Sequence, residues 1–420
     1  MSSPLQSYGE VAAIVAAKAR QLALRRRAVD ELALGLAAGR ILAEALRADR
    51  DLPPFARSTR DGYACRTAEA AAHKSLRVAG SIRAGEAAKG PLPPLAAWEI
   101  MTGAPVPDGA DAVAMLEHVE IFGDEIRLAN SRSLDPGENV VPRAAEAREG
   151  DEVIPAGTRL AAQQIAVAAA CGYATVAVFA RPRVAILATG DELVAVEATP
   201  GPAQIRNSNT PMLAALVTAA GGKPLILPKA ADDADALDTA IERAASADLL
   251  IVSGGVSAGK FDLVEEALAR AGAAFHFTGA RIQPGKPVVF GELRCEDRGD
   301  QAAGGSQPFF GLPGNPISSA ATFLLFVAPV LDSLAGAAEL GPHFGMARLA
   351  RDCKGKDDLT RFVPAHCTFG GAPDEFPQVA PIATQGSGDL AAFSRSNCFL
   401  VVPEGVQVLR ADEAVRILFS

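Results

Sequence analysis

The 420-residue sequence contains no CxxC pair. Its six cysteines, Cys65, Cys171, Cys295, Cys353, Cys367 and Cys398, are scattered, which fits reduced, packed thiols and argues against a disulfide or structural zinc framework. There is no HExxH and no Walker A sequence. The five histidines, His73, His118, His276, His343 and His366, stand apart from one another, which argues against histidine-centred hydrolysis. No continuous apolar run approaches the roughly 20 residues that span a bilayer, and the N-terminus lacks the charged-then-apolar pattern of a signal peptide. A cytoplasmic protein without a membrane partner is the expectation. An excess of positive charge is also missing. The net charge of -9 argues against a nucleic-acid partner and requires a local basic pocket for any anionic substrate.

What is present is a chain too long for one ordinary hydrophobic core, so two to four domains are expected. Val11, Ile14, Val15, Leu32, Leu36, Ile41, Leu42 and Leu46 recur at helical spacing and predict helix through residues 7–48. At Asp51 the texture changes: Pro53 and Pro54 forbid a helix, and Asp61-Gly62 reads as a tight turn. Short apolar segments separated by Gly and Pro then predict a β-rich domain over 51–142. Gln163 to Ala170 looks helical again, so the helical/linker domain is expected to combine 1–50 with 143–181. Over 182–337, short apolar runs alternate with helical segments, the pattern of a three-layer αβα domain with a mostly parallel sheet. Short β segments over 342–420 predict a small C-terminal β-barrel or sandwich. The fold class is α/β, multidomain.

The stretch that organises this reading is SGGVSAGKFD, Ser253 to Asp262. An apolar strand, Leu249 to Val252, stops abruptly at Ser253, Gly254 and Gly255, where the missing Cβ atoms let a ligand lie against the backbone. In open α/β sheets, ligands bind beyond the strand C-termini. Two further loops, QPGKP (Gln283 to Pro287) and GLPGNP (Gly311 to Pro316), leave strand ends in the same domain. Three such loops point to a ligand crevice. Asp61, Glu146, Glu192, Asp232 and Asp262 lie beside turns or strand ends, and carboxylates grouped at a bound phosphate suit Mg²⁺. Lys286, Lys260, Arg281 and Arg361 are candidate counter-charges for an anion.

Taken together, SxxDGYA at Ser58 to Ala64, MTGAPVP at Met101 to Pro107, GEN at Gly137 to Asn139, TGDEL at Thr189 to Leu193, SGGVSxGxxD, PGKP, GLPGNP and QGSG at Gln385 to Gly388 resemble the molybdopterin molybdenumtransferase family. Its members are the bacterial MoeA-type enzymes and the gephyrin E domain, and the similarity runs in the same order along essentially the whole chain. The resemblance implies insertion of molybdenum from molybdate into adenylylated molybdopterin, with Mg²⁺-dependent pyrophosphate cleavage and release of AMP. It implies a homodimer of four-domain subunits whose site lies between the αβα domain of one subunit and the β-rich domain of the other. Its further partners would be a molybdopterin adenylyltransferase and apo-molybdoenzymes. Carried over by motif position, Asp61, Thr102, Glu146, Glu192, Asp232 and Asp262 are the expected catalytic residues, with Asp61, Asp232 and Asp262 at the metal. Ser253, Gly254, Gly255, Gln283, Lys286, Pro313, Gly314, Asn315, Arg361 and Ser387 are the expected substrate contacts.

Several positions depart from the family pattern. Glu146 stands for the usual Asp, Gln283 for a frequent Lys, and Gly279 for a basic residue, a charge for which Arg281 is a candidate source. Lys260 replaces a common acid and Arg60 an apolar residue. Two alternatives follow: a catalytically weak molybdopterin-binding scaffold, and a molybdopterin adenylyltransferase sharing the αβα domain.

Overall fold

The computed structural model describes residues 5–25, 27–70, 74–87, 90–129, 132–255, 263–294, 306–370 and 375–419. The first helix, Tyr8–Ala23, starts at a reciprocal cap: Ser7 N–H donates to Glu10 Oε2 at 2.7 Å, and Glu10 N–H donates back to Ser7 Oγ at 3.3 Å. It buries Val11, Val15, Ala19 and Leu22 against the core shared with the helix Ala328–Ala335. The helix predicted through residue 48 ends here. Val29–Ala33 is instead a strand, antiparallel to Thr175–Phe179, and Leu46–Arg47 pairs with Glu152–Ile154. The steps Leu32 to Leu36 and Leu42 to Leu46 are four residues, a spacing that fits the strand period of 2 as well as the helical 3.6. Leu42 and Leu46 are buried with Val176, Val178 and Ile154 in a small core of their own. The second predicted helical piece is present as Ala162–Ala170.

The β-rich part is a six-stranded sheet in the order Ala112–Met115, Gly62–Cys65, Ala96–Ile100, Leu76–Ile82, Glu125–Leu128, Val119–Phe122. Gly62 is not a turn glycine. It opens a strand so close to its neighbour that an added Cβ would lie 2.0 Å from the Ala114 carbonyl oxygen.

The central sheet runs Lys223–Ile226, Arg183–Ala188, Leu249–Ser253, Ser306–Leu312, Val289–Arg294, Ala274–Thr278. Its first three junctions are parallel and its last two antiparallel. Leu249 and Ile251 face one hydrophobic cluster, Leu250 and Val252 another, so both faces are covered and the strand reads as an unbroken apolar run. Helices Ala234–Ala244 and Leu263–Arg270 cover one face; Asn209–Ala219 and Pro316–Thr322 cover the other. The helical stretch Pro316–Ala335 contains a π-helical turn, Phe323–Val327, and is long and apolar enough to cross a membrane. Here 83% of its apolar window is buried inside the protein, as in a core helix.

At the C-terminal end, Thr360–Thr368, Gln378–Pro381, Phe344–Leu349, Ala414–Phe419 and Cys398–Val402 close into a five-stranded barrel, Cys398–Val402 pairing back onto Thr360–Thr368. Two foreign strands extend it. Ala280–Gln283, from the central region, lies parallel to the start of Thr360–Thr368, and Gln6–Ser7 lies parallel to Ala280 and Arg281. Five of the cysteines are described, and all are buried and unpaired, with burial pushing the thiols of Cys65 and Cys398 up to about 12.

Candidate functional site

The strand Leu249–Ser253 delivers its two glycines to a cavity of about 860 Å³ beyond the sheet's C-terminal edge. Gly254 has φ +95° and Gly255 φ +64°, and an added Cβ would lie 2.7 Å from the Thr189 carbonyl oxygen at the first and 2.6 Å from Val264 at the second. Both conditions demand glycine. Pro313, Gly314 and Asn315 form the opposite wall, while Glu192 and Asp232 bring two exposed carboxylates to the rim. Asp191 stands beside them: its N–H donates to Asp232 Oδ2 at 3.4 Å, and Asp232 N–H donates to Asp191 Oδ1 at 3.3 Å.

A second cavity of about 320 Å³ adjoins the first and shares Pro287, Pro313 and Asn315 with it. The central region supplies Gln283 and Lys286, and the barrel region supplies Arg361 and Ser387. The parallel ladder pairs Gln283 directly with Arg361. Arg361 donates to the Lys354 carbonyl, and its Nε is buried without a partner among the described residues. Asn315 Nδ2 donates to Ser387 Oγ at 2.9 Å. With its oxygen already accepting that bond, the Ser387 hydroxyl is left to donate, and an oxyanion held by Lys286, Arg361 and a hydroxyl would be well matched.

The expected residues therefore fall into groups. Ser253, Gly254, Gly255, Pro313, Gly314, Asn315, Glu192 and Asp232 line the larger cavity; Gln283, Lys286, Arg361 and Ser387 line the smaller. Asp61, Thr102 and Glu146 line neither. Asp61 Oδ1 accepts from the Thr102 N–H at 2.7 Å and the Thr102 hydroxyl at 2.9 Å, and these bonds, the backbone one first, hold the carboxyl below its ordinary range. Glu146 pairs with Arg57 at 3.1 Å. The GEN segment supports the Asp61 loop: Asn139, at φ +60°, accepts from Thr59 N–H and donates to Val113 O. Asp262 and Lys260 lie outside the described residues. Among the described residues no three His, Cys, Asp or Glu side chains gather as a metal site.

Arg281 does not restore the charge absent at Gly279, because it pairs with Glu404 at 3.2 Å and lines neither cavity. Gly279 itself sits at φ +143°, with Leu5 Cδ2 2.4 Å from an added Cβ, so this backbone disfavours the basic side chain. Gly255 to Gly259 also spells G-x-S-x-G, of which only Gly255 is described; among the described residues no histidine lines either cavity. Thr189, Asn209, Asp191 and Arg206 escaped the residue-level reading. The signal available for two of them was TGDEL, which contains Thr189 and Asp191.

Three family models together match most of the chain. Residues 7–172 match the model for the MoeA N-terminal region (domain I and II), 185–333 that for a probable molybdopterin binding domain, and 346–419 that for the MoeA C-terminal region (domain IV). A molybdopterin molybdenumtransferase of Nostoc sp. is 34% identical over 92% of this chain and 87% of its own. One of Bacillus subtilis is 33% identical over 90% and 87%. The molybdopterin biosynthesis MoeA protein of Pyrococcus horikoshii OT3 superposes with a TM-score of 0.78 at 28% identity, covering 99% of this chain and 100% of that one. With its glycine-lined crevice, its closed C-terminal barrel and relatives of this identity along nearly its whole length, the chain belongs to the molybdopterin molybdenumtransferase (MoeA) family.

Proposed function

We propose that the protein inserts molybdenum from molybdate into adenylylated molybdopterin, releasing AMP. The observation that carries this reading is the junction of two unlike cavities at Asn315: a large one with carboxylates and a glycine floor, and a small one with Lys286, Arg361 and the Ser387 hydroxyl. The large cavity suits the pterin nucleotide, the small one a tetrahedral oxyanion. Lys286 and Arg361 hold molybdate by charge-assisted hydrogen bonds, and Ser387 donates a third. Asp232 and Glu192 orient water at the pyrophosphate.

These two carboxylates also suit Mg²⁺, which takes one or two protein carboxylates and completes its shell with water and phosphate oxygens. When bound, the ion would neutralise charge developing on the phosphate oxygens. Asp61, Thr102 and Glu146 complete the site from a second subunit in this reading, which accounts for their lying outside both cavities of their own chain. Purified protein given adenylylated molybdopterin, molybdate and Mg²⁺ is expected to yield AMP and active cofactor. No product above background, with a working relative assayed in parallel, overturns the proposal.

A further inference from the structure

The floor of the larger cavity carries two oxygens without partners. Thr189 is 3% exposed and Asn209 8%, both line the cavity, and among the described residues neither Thr189 Oγ1 nor Asn209 Oδ1 has a hydrogen-bond partner. The Asn209 amide has a fixed orientation. Its Nδ2 donates to the Gly314 carbonyl at 2.7 Å and to Ser253 Oγ at 2.9 Å, and a carbonyl can only accept. Oδ1 is therefore the free atom, and it accepts without donating. A buried acceptor left unpaired is unfavourable, so at the wall of a ligand cavity it selects a ligand that brings a donor. Phosphate oxygens are themselves acceptors and would be repelled by the Asn209 oxygen, whereas the Thr189 hydroxyl accepts as well as donates, so Asn209 sets the preference for a donor.

We infer that Thr189 and Asn209 hold an amino-bearing heterocycle by its N–H edge, and that the phosphates of the same ligand lie away from this floor. Arg206 marks their direction: it is the one basic residue among the described residues lining the cavity, and its Nε is anchored on the Ala198 carbonyl at 3.0 Å. The inference rests on the proposed reaction for its ligand, which carries two such rings, pterin and adenine. It adds the end of the ligand that the floor reads and the residues that read it. Asn209 opens the helix Asn209–Ala219, and Thr189 follows the strand Arg183–Ala188, so both stand on rigid elements.

The test compares wild type, Thr189→Val, Thr189→Ser and Asn209→Ala, with thermal unfolding to establish that each is folded. Calorimetry measures binding of molybdopterin, AMP and 1,3-dimethyllumazine, a pteridine without ring N–H donors. Wild type is expected to prefer a donor-bearing probe over dimethyllumazine. Thr189→Val should lose about tenfold in that affinity, and Thr189→Ser should restore it. Loss for molybdopterin assigns the floor to pterin; loss for AMP assigns it to adenine. Unchanged affinities in folded Thr189→Val and Asn209→Ala overturn the inference, since water alone then satisfies these oxygens, and so does a wild type that binds neither molybdopterin nor AMP. If wild type fails to insert molybdenum yet binds a donor-bearing probe in a Thr189-dependent way, the reaction assignment falls and this inference stands.

Discussion

Gln283 and Arg361 are register partners across a parallel ladder that joins the central region to the barrel, and both line the smaller cavity. A neutral amide thus stands beside the guanidinium where the family resemblance leads one to expect a second cation. Gln283→Lys is expected to lower the half-saturating molybdate concentration by about two- to fivefold at low salt, an advantage that shrinks as ionic strength rises. Arg361→Ala should raise it by roughly ten- to a hundredfold while molybdopterin affinity stays unchanged. Steady-state kinetics with molybdate varied at two salt concentrations would check both; equal losses for molybdate and molybdopterin would remove Arg361 from an oxyanion-specific role.

Gly254→Ala forces a Cβ to 2.7 Å from the Thr189 carbonyl oxygen at φ +95°. The strain should lower stability by about 1–3 kcal/mol. Because Thr189 lines the crevice, molybdopterin binding should weaken in parallel. Thermal unfolding and calorimetry report the two effects, and wild-type values in both would show that the loop has room the geometry denies.

Glu292 is 9% exposed and joins the first helix to the central sheet: Lys18 Nζ lies at 2.5 Å, the Ser306 hydroxyl at 2.5 Å and His276 Nε2 at 3.3 Å. Burial raises its pKa, but hydrogen bonds from Lys18 and Ser306 and the charges of Lys18 and His276 outweigh that, leaving a net depression. A depressed carboxyl stabilises the fold above its unfolded pKa, near 4.3, and that contribution is lost as pH falls through the lower folded value. Glu292→Gln should cost about 1.5–3 kcal/mol at pH 7, and the difference from wild type should close as acid protonates Glu292 in the wild type. Denaturant unfolding at pH 7 and pH 3 tests this. A difference that persists unchanged at pH 3 contradicts it.

If Asp61 serves a neighbouring subunit's crevice, Asp61→Asn and Asp232→Asn should each be inactive alone yet complement each other. In an equal mixture allowed to exchange subunits, half the dimers are mixed and each holds one intact site of two, so roughly a quarter of wild-type activity should return. No recovery, with exchange verified, would place Asp61 and Asp232 in the same subunit's site.

The central layer was readable from sequence because its information is local. Leu249 to Val252 are apolar at every position since both faces are covered, and Gly254 and Gly255 mark the close approach that follows. The smaller cavity was readable only as separate loops. That Gln283 meets Arg361 depends on a strand from one region docking on another, which no local pattern encodes. Leu32 to Leu46 misled because a spacing of four residues fits both periods. Thr189 and Asn209 were silent for another reason: a threonine after a strand and an asparagine opening a helix are ordinary, and only tertiary burial makes their oxygens matter.

The foreign strand Ala280–Gln283 is hydrogen-bonded to Gln6–Ser7 on one side and to the barrel on the other, and the loop that follows it carries Lys286. Three stretches remote in sequence therefore share one backbone ladder at the wall of the smaller cavity. Separating them breaks main-chain hydrogen bonds as well as side-chain contacts, so the cavity's shape and the docking of the barrel form one cooperative unit. Local loosening at either edge would reach the smaller cavity as altered geometry before the fold itself gave way.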